Sequence, residues 1–145
     1  MAIDRQGTGL AIVRVFLGVF LIFMGFNKHQ WFFDSSILAG QLNGWLDAAA
    51  PGSVSRWYLE RIALPGLAAF ARLVPLGEMV SGVALVVGFW TPIFAFISFF
   101  MVLNFAVASG VIFTYSYLTN GFGLPVLGST LGLAVGGVRT KWSIR

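Results

Sequence analysis

From Met79 to Val138 the chain carries no charged side chain. Soluble domains carry roughly 25% charged residues, so a run of this kind belongs in a bilayer. About 20 mostly apolar residues are enough for one crossing, and the run is long enough for more than two. A single carboxylate, Glu78, marks its edge. That carboxylate falls near the centre of its own apolar span, 66–90. An acidic group at such a depth costs on the order of 2.5–3.5 kcal/mol on insertion scales. It has to pair, to be protonated or to face a polar cavity, and the rest of the chain must supply that environment.

The whole chain is 58% hydrophobic and 10% charged, with a mean hydropathy of +0.88. The expectation is an all-α integral membrane protein forming a single membrane domain over residues 1–145. The net charge of +4 does not point to nucleic acid, because the basic residues form no patch between aromatics. They gather near the chain ends. The absence of cysteine excludes disulfides, thiol redox chemistry and Cys-ligated clusters within this chain. One histidine, His29, cannot build a bis-His haem or a three-His metal site from one copy, so no metal site is expected. Arg5 and Arg14 precede the apolar run VFLGVFLIFMGF, but no A-x-A-like cleavage site follows, and the segment reads as a retained helix.

Four spans are predicted, at about 8–28, 66–90, 92–113 and 121–138, giving a four-transmembrane-helix bundle. In the first, Arg14, Gly18, Leu21, Gly25 and Lys28 recur at spacings of four and three and share one helix stripe. Arg14 reads either as an interfacial anchor or as a buried ion-pair partner. In the second, Ala71, Pro75, Glu78, Gly82, Leu85 and Phe89 form the stripe. Arg72 is placed to snorkel outward. The third holds one strongly polar residue, Asn104. Glu78 and Asn104 each lie 13 residues from the turn at Thr91, hence at equal depth. A hydrogen bond between them, or Asn104 as plain interhelical glue, is expected. The fourth contains Gly128, Gly132 and Gly136 at strict spacing, a groove for close helix packing.

Between the first two spans lies a long connector, 29–65, too polar to cross. Ile37, Leu38, Leu42, Trp45 and Leu46 fall on one helical face. Pro51-Gly52 is a break, and Ser53 or Ser55 is a candidate cap for a second short helix. One or two amphipathic interfacial helices on one membrane face are expected. Trp31, Trp45, Trp57, Tyr115 and Tyr117 read as an interface belt on that side, and Trp90 and Trp142 as a belt on the other. Four spans put both termini on one side. Arg5, Arg139, Lys141 and Arg145 mark that side as cytoplasmic, with the connector outside the cytoplasm and the protein in the cell inner (plasma) membrane.

The motifs Arg14-x3-Gly18, Gly25-x2-Lys28, Trp57-Tyr58, Gly77-Glu78-x3-Gly82 running into Gly88 and Thr91-Pro92, Leu103-Asn104-Phe105 and Asn120 occur in an order that resembles the DoxX/DoxD-like membrane proteins. A basic C-terminal end continues the match, which covers nearly the whole chain. The resemblance implies a four-helix membrane subunit similar to the small subunit of thiosulfate:quinone oxidoreductase. It implies other membrane or soluble redox-complex subunits as partners, besides the lipid bilayer.

Three functions follow as expectations. The first is a subunit of a quinone-linked, thiosulfate-oxidising or related redox complex, not a self-sufficient enzyme. Glu78 would be its catalytic proton carrier; Arg14, Asn104 and Lys28 would bind the quinone or form its polar network. The second is a non-catalytic structural subunit of a larger respiratory or photosynthetic assembly, with Glu78 and Arg14 as a register-fixing pair. Helical side chains lean toward their own N-terminus. That lean separates Arg14 from Glu78 and leaves Lys28 or Arg72, through water, as alternative partners. The third is a small proton-coupled transporter.

Overall fold

The computed structural model describes residues 5–112, 114–139 and 142–144. Among them the regular structure is entirely helical. Three helices are long and apolar enough to cross a membrane: α1 (Arg5–Asn27), α4 (Leu67–Val87) and α5 (Thr91–Ala108). Between α1 and α4 lie α2 (Ser36–Ala48) and α3 (Val54–Tyr58), and after α5 come α6 (Tyr115–Thr119) and α7 (Leu124–Gly136). The chain is a multi-pass membrane protein.

The packing order around the bundle is α1, α4, α5, α7 and back to α1. The tightest contact is the antiparallel seam of α1 and α4, set by glycine. A Cβ at Gly18 would stand 2.7 Å from the Gly82 carbonyl oxygen, and one at Gly82 would stand 2.7 Å from the Gly18 carbonyl oxygen. The two backbones touch where neither helix has a side chain, which is how small residues drive association in lipid. The stripe expected on α1 is the buried one: Arg14, Gly18, Leu21 and Gly25 all face inward, and Lys28 follows just past the helix end.

Two spans end earlier than their apolar runs suggest. The third stops at Ala108 rather than 113, because Gly110 turns the chain with φ of +68°; Phe113 lies outside the described residues. The fourth is a helix of 13 residues, about 20 Å long at 1.5 Å per residue, continued by a 3-10 turn over Gly137–Arg139. Two of its three glycines do not serve the bundle, while the third, Gly136, faces α1, where a Cβ would meet the Leu10 side chain at 3.5 Å. A Cβ added at Gly128 or Gly132 would meet nothing within 4 Å, while Val126, Thr130 and Leu133 face inward. The reason is size complementarity: the facing helix α5 already presents small residues, Ala95 and Ser98. Larger groups from α7 fill the space, and Val126 and Leu133 join Leu17, Leu21, Leu85 and Ala95 in one core.

The connector folds onto the bundle. Trp31, Leu38, Leu42, Leu59 and Ala63 pack with Ala71, Val74 and Ala108 as a second core over one end of the bundle. Trp31, expected in an interface belt, is only 6% exposed. Ser53 supplies the cap of α3, its Oγ accepting from the Arg56 amide at 3.2 Å. Ser55 donates to the Ala108 carbonyl at 2.8 Å, tying the connector to the end of α5. A π-helical turn over Leu59–Ala63 then leads toward α4. The bundle thus has a connector end, where this cap sits, and a tail end, where Trp142–Ile144 lie.

Candidate functional site

Lys28 is the first residue beyond α1, and Glu78 lies near the middle of α4. They meet because α4 runs past the end of α1 into the connector cap, while the lysine side chain turns back along its own helix. Its ammonium donates to the Met24 carbonyl at 3.1 Å and to both Glu78 oxygens at 2.9 and 2.8 Å. The Phe105 and Trp31 rings lie 5.4 and 5.9 Å from the ammonium, within cation–π range. Both side chains are buried. Lysine has three N–H donors, and all three are spent. The carboxylate has about four lone-pair sites, of which the lysine uses two.

Lys28 is therefore the direct partner of Glu78, with no bridging water required, and Arg14 is not. The guanidinium of Arg14 donates to Ser143 Oγ at 2.7 Å and to the Trp142 carbonyl at 3.1 Å, at the tail end of the bundle. Gly88, with φ of +77°, makes room for it: a Cβ there would overlap the guanidinium. The N-terminal lean of helical side chains sends Arg14 and Glu78 toward opposite ends of this antiparallel pair. Asn104 does not bond Glu78 either. Its Oδ1 accepts from the Tyr58 hydroxyl, which joins α5 to the connector, while its neighbour Phe105 is the residue that turns toward Lys28. Burial raises the Tyr58 phenol above its ordinary pKa, so it remains a donor. Arg72 folds onto its own helix, donating to the Ala68 carbonyl. His29 is exposed and stacks on Phe26. Among the described residues no cluster of three His, Cys, Asp or Glu could hold a metal.

The ion pair opens on a cavity of about 270 Å³. Phe20, Leu21 and Met24 of α1 form one wall, and Val102, Phe105 and Ala106 of α5 another. Trp45 of α2 and Tyr117, Phe122 and Val126 from the α6–α7 region complete it. Ligand cavities commonly start near 300 Å³ and combine apolar walls with a few polar groups, so the space suits a ring-sized head group. Gln41 and Asn120 reach it from exposed positions. Ser109 is occupied, donating to the Phe105 carbonyl at 2.7 Å.

One wall residue stands out. Tyr117 is 9% exposed, and its hydroxyl, fully shielded from solvent, has no hydrogen-bond partner among the described residues. A buried hydroxyl left unpaired costs about 1–3 kcal/mol, and Tyr117 is among the residues that line the cavity. Burial raises its pKa above the ordinary phenol value. The sequence suggested a lipid-interface tyrosine here. What places it indoors is α6, capped by Thr114, whose Oγ1 accepts from the Tyr117 amide at 3.3 Å.

The residues matched by a family model described as DoxX are 9–114. They include the ion pair, Asn104 and Tyr58, and stop before Tyr117 and α7. No curated protein and no solved structure matches the chain.

Proposed function

Since the chain belongs to the DoxX family, we propose that it is the membrane subunit of a quinone-linked redox complex and that its cavity beside Lys28 and Glu78 receives the quinone ring. In this reading the chain spans the inner membrane four times, with α7 as the short fourth crossing and both termini in the cytoplasm. The connector cap and the cavity then lie toward the outer face. Lys141 and Arg145, which carry part of the charge argument for this sidedness, lie outside the described residues, as does the side chain of Arg139.

The observation that carries the proposal is that a buried acid–base pair forms part of a ring-lined cavity wall instead of being sealed in packing. A quinone needs apolar walls, ring contacts and groups that exchange protons when electrons arrive. Phe20, Trp45, Phe105 and Phe122 supply rings, and the Glu78 carboxylate has unused lone pairs to accept a proton. Lys28 holds that carboxylate in place. With no cysteine and a single histidine, electrons are delivered by a partner subunit, for which thiosulfate is the candidate donor substrate. Arg14 and Asn104, at the tail end and on the connector seam, serve as positioning residues in this scheme.

A second reading, a structural subunit of a larger assembly, draws on the saturated Lys28 ammonium and the Gly18–Gly82 seam. These would suffice to fix helix register. Mild-detergent co-purification from native membranes separates the two. The redox reading expects quinone and a redox subunit to co-elute, with complex activity lost on Glu78→Gln. Capture inside a large assembly with activity intact in that variant supports the structural reading.

A further inference from the structure

The polar groups around the cavity are not equivalent in what they can still offer. Lys28 has no donor left, since its three N–H groups go to Met24 and to the two Glu78 oxygens. Glu78 retains only acceptor capacity. The buried donor still unspent is the Tyr117 hydroxyl, contributed by α6, a different element from either member of the pair. The wall therefore presents an acceptor on α4 and a donor on α6. A fully oxidised quinone carries two carbonyl oxygens, which only accept. It can use Tyr117 but has nothing to give Glu78. A hydroquinone can do both, one hydroxyl donating to the carboxylate and the other oxygen accepting from the phenol.

We propose that this cavity is set for the reduced, hydroxyl-bearing form of its ring ligand, with Tyr117 as the ligand-contacting donor that completes it. The inference rests on the quinone reading above and adds to it a residue outside the family match and a preference between redox forms. No electron transfer is required for it; it concerns which form binds more tightly to the chain at rest. Burial, which raises the Tyr117 pKa, keeps the phenol protonated and available. A hydrogen bond to a charged carboxylate is worth about 1.5–3 kcal/mol and one to a neutral group about 0.5–1.5 kcal/mol. The hydroquinone is thus favoured by about tenfold or more, and loss of the phenol weakens either form by about three- to tenfold.

The test uses the full chain in lipid nanodiscs, with decylubiquinone and, under anaerobic reduction, decylubiquinol as probes. Binding is read by quenching of tryptophan fluorescence, as Trp45 lines the cavity. The bound couple's midpoint potential is read separately. Tenfold tighter quinol raises that potential by about 30 mV for a two-electron couple, a shift set by the Glu78 carboxylate and expected to persist in Tyr117→Phe, which weakens both forms alike. The expected result is quinol preference in the native chain, with a three- to tenfold loss of affinity in the ring-preserving variant Tyr117→Phe. If neither probe binds the native chain, the quinone reading itself fails. If both bind but quinone binds as tightly as quinol, or Tyr117→Phe binds as the native chain does, the quinone reading stands and this inference is overturned. Should Tyr117→Phe misfold, the native quinol-to-quinone ratio and the potential still decide the redox preference, and equal binding of the two forms overturns the inference.

Discussion

The stripe on α1 ends in a buried cation at each extremity, and the two cations are treated differently. At the connector end, Lys28 closes an ion pair with Glu78 at 2.8 Å, and that pair forms part of a cavity wall. At the tail end, Arg14 is 1% exposed and is gripped by Ser143 and the Trp142 carbonyl. The α1–α4 seam lies between them. Burial of a charge on a helix thus says little about its role until the groups opposite are known. Lys28 holds a titratable group beside open space, whereas Arg14 fastens the tail onto the bundle.

This contrast can be broken by substitution, and the largest effect belongs to the connector end. Lys28→Met leaves a buried carboxylate uncompensated and is expected to destabilise the protein by about 3–5 kcal/mol, read as loss of helical signal in detergent titrations. Replacing both partners, Lys28→Met with Glu78→Leu, removes the uncompensated charge and is expected to return stability close to the native value. If the single variant is as stable as the native chain, the pair is not closed as described.

The seam comes next. Gly18→Val forces a side chain against the Gly82 carbonyl and is expected to cost about 1–3 kcal/mol, whereas Gly128→Ala meets nothing and should stay within about 0.5 kcal/mol of native. The reverse order would put the close helix contact on α7. At the tail end Ser143→Ala removes one acceptor from Arg14 at a partly exposed site. A loss of about 1 kcal/mol is expected in the same titration, below the effect of Lys28→Met. An equal or larger loss would erase the distinction between the two cations.

The smallest effect is a pH dependence at the connector surface. The Ser36 amide donates to the Asp34 carboxylate at 2.9 Å, and bonds from Ser36 hold Asp34 below the usual carboxylate pKa. A depressed folded-state value means that its contribution is present above the unfolded pKa and is lost as pH falls through the folded one. An NMR titration should show the Asp34 carboxyl midpoint below the ordinary aspartate value and moving up toward it in Ser36→Pro, which has no amide hydrogen.

Much of this was legible in the residues. The α1 stripe, the inward Glu78 and a serine cap at Ser53 or Ser55 follow from helical spacing and capping chemistry, and the structure selects Ser53. Side-chain lean points to the parting of Arg14 from Glu78, against the register-fixing pair that their charges suggest. Other features depend on which helix faces which, and periodicity does not carry that. Gly128 and Gly132 look like a packing face, yet α5 offers small residues and α7 supplies large ones. Asn104 was at the right depth for Glu78, but depth fixes height and not azimuth. One step along α5, it faces Tyr58 while Phe105 faces Lys28. Tyr117 looked like an interfacial aromatic, and only the short capped helix α6, whose five residues give no periodic signal, brings it to the cavity. Trp31 and Trp45 likewise joined a core because the connector folds onto the bundle.

Whether the ion pair belongs to a quinone site is decided by native mass spectrometry of the protein released from its own membranes, comparing the native chain with the double variant Lys28→Met, Glu78→Leu. The variant is expected to stay folded while losing the polar wall of the cavity. A one-to-one quinone adduct is expected on the native chain, with its loss from the folded variant. An adduct retained unchanged by the variant, or a native chain that carries none, would contradict the assignment of the ion pair to a quinone site.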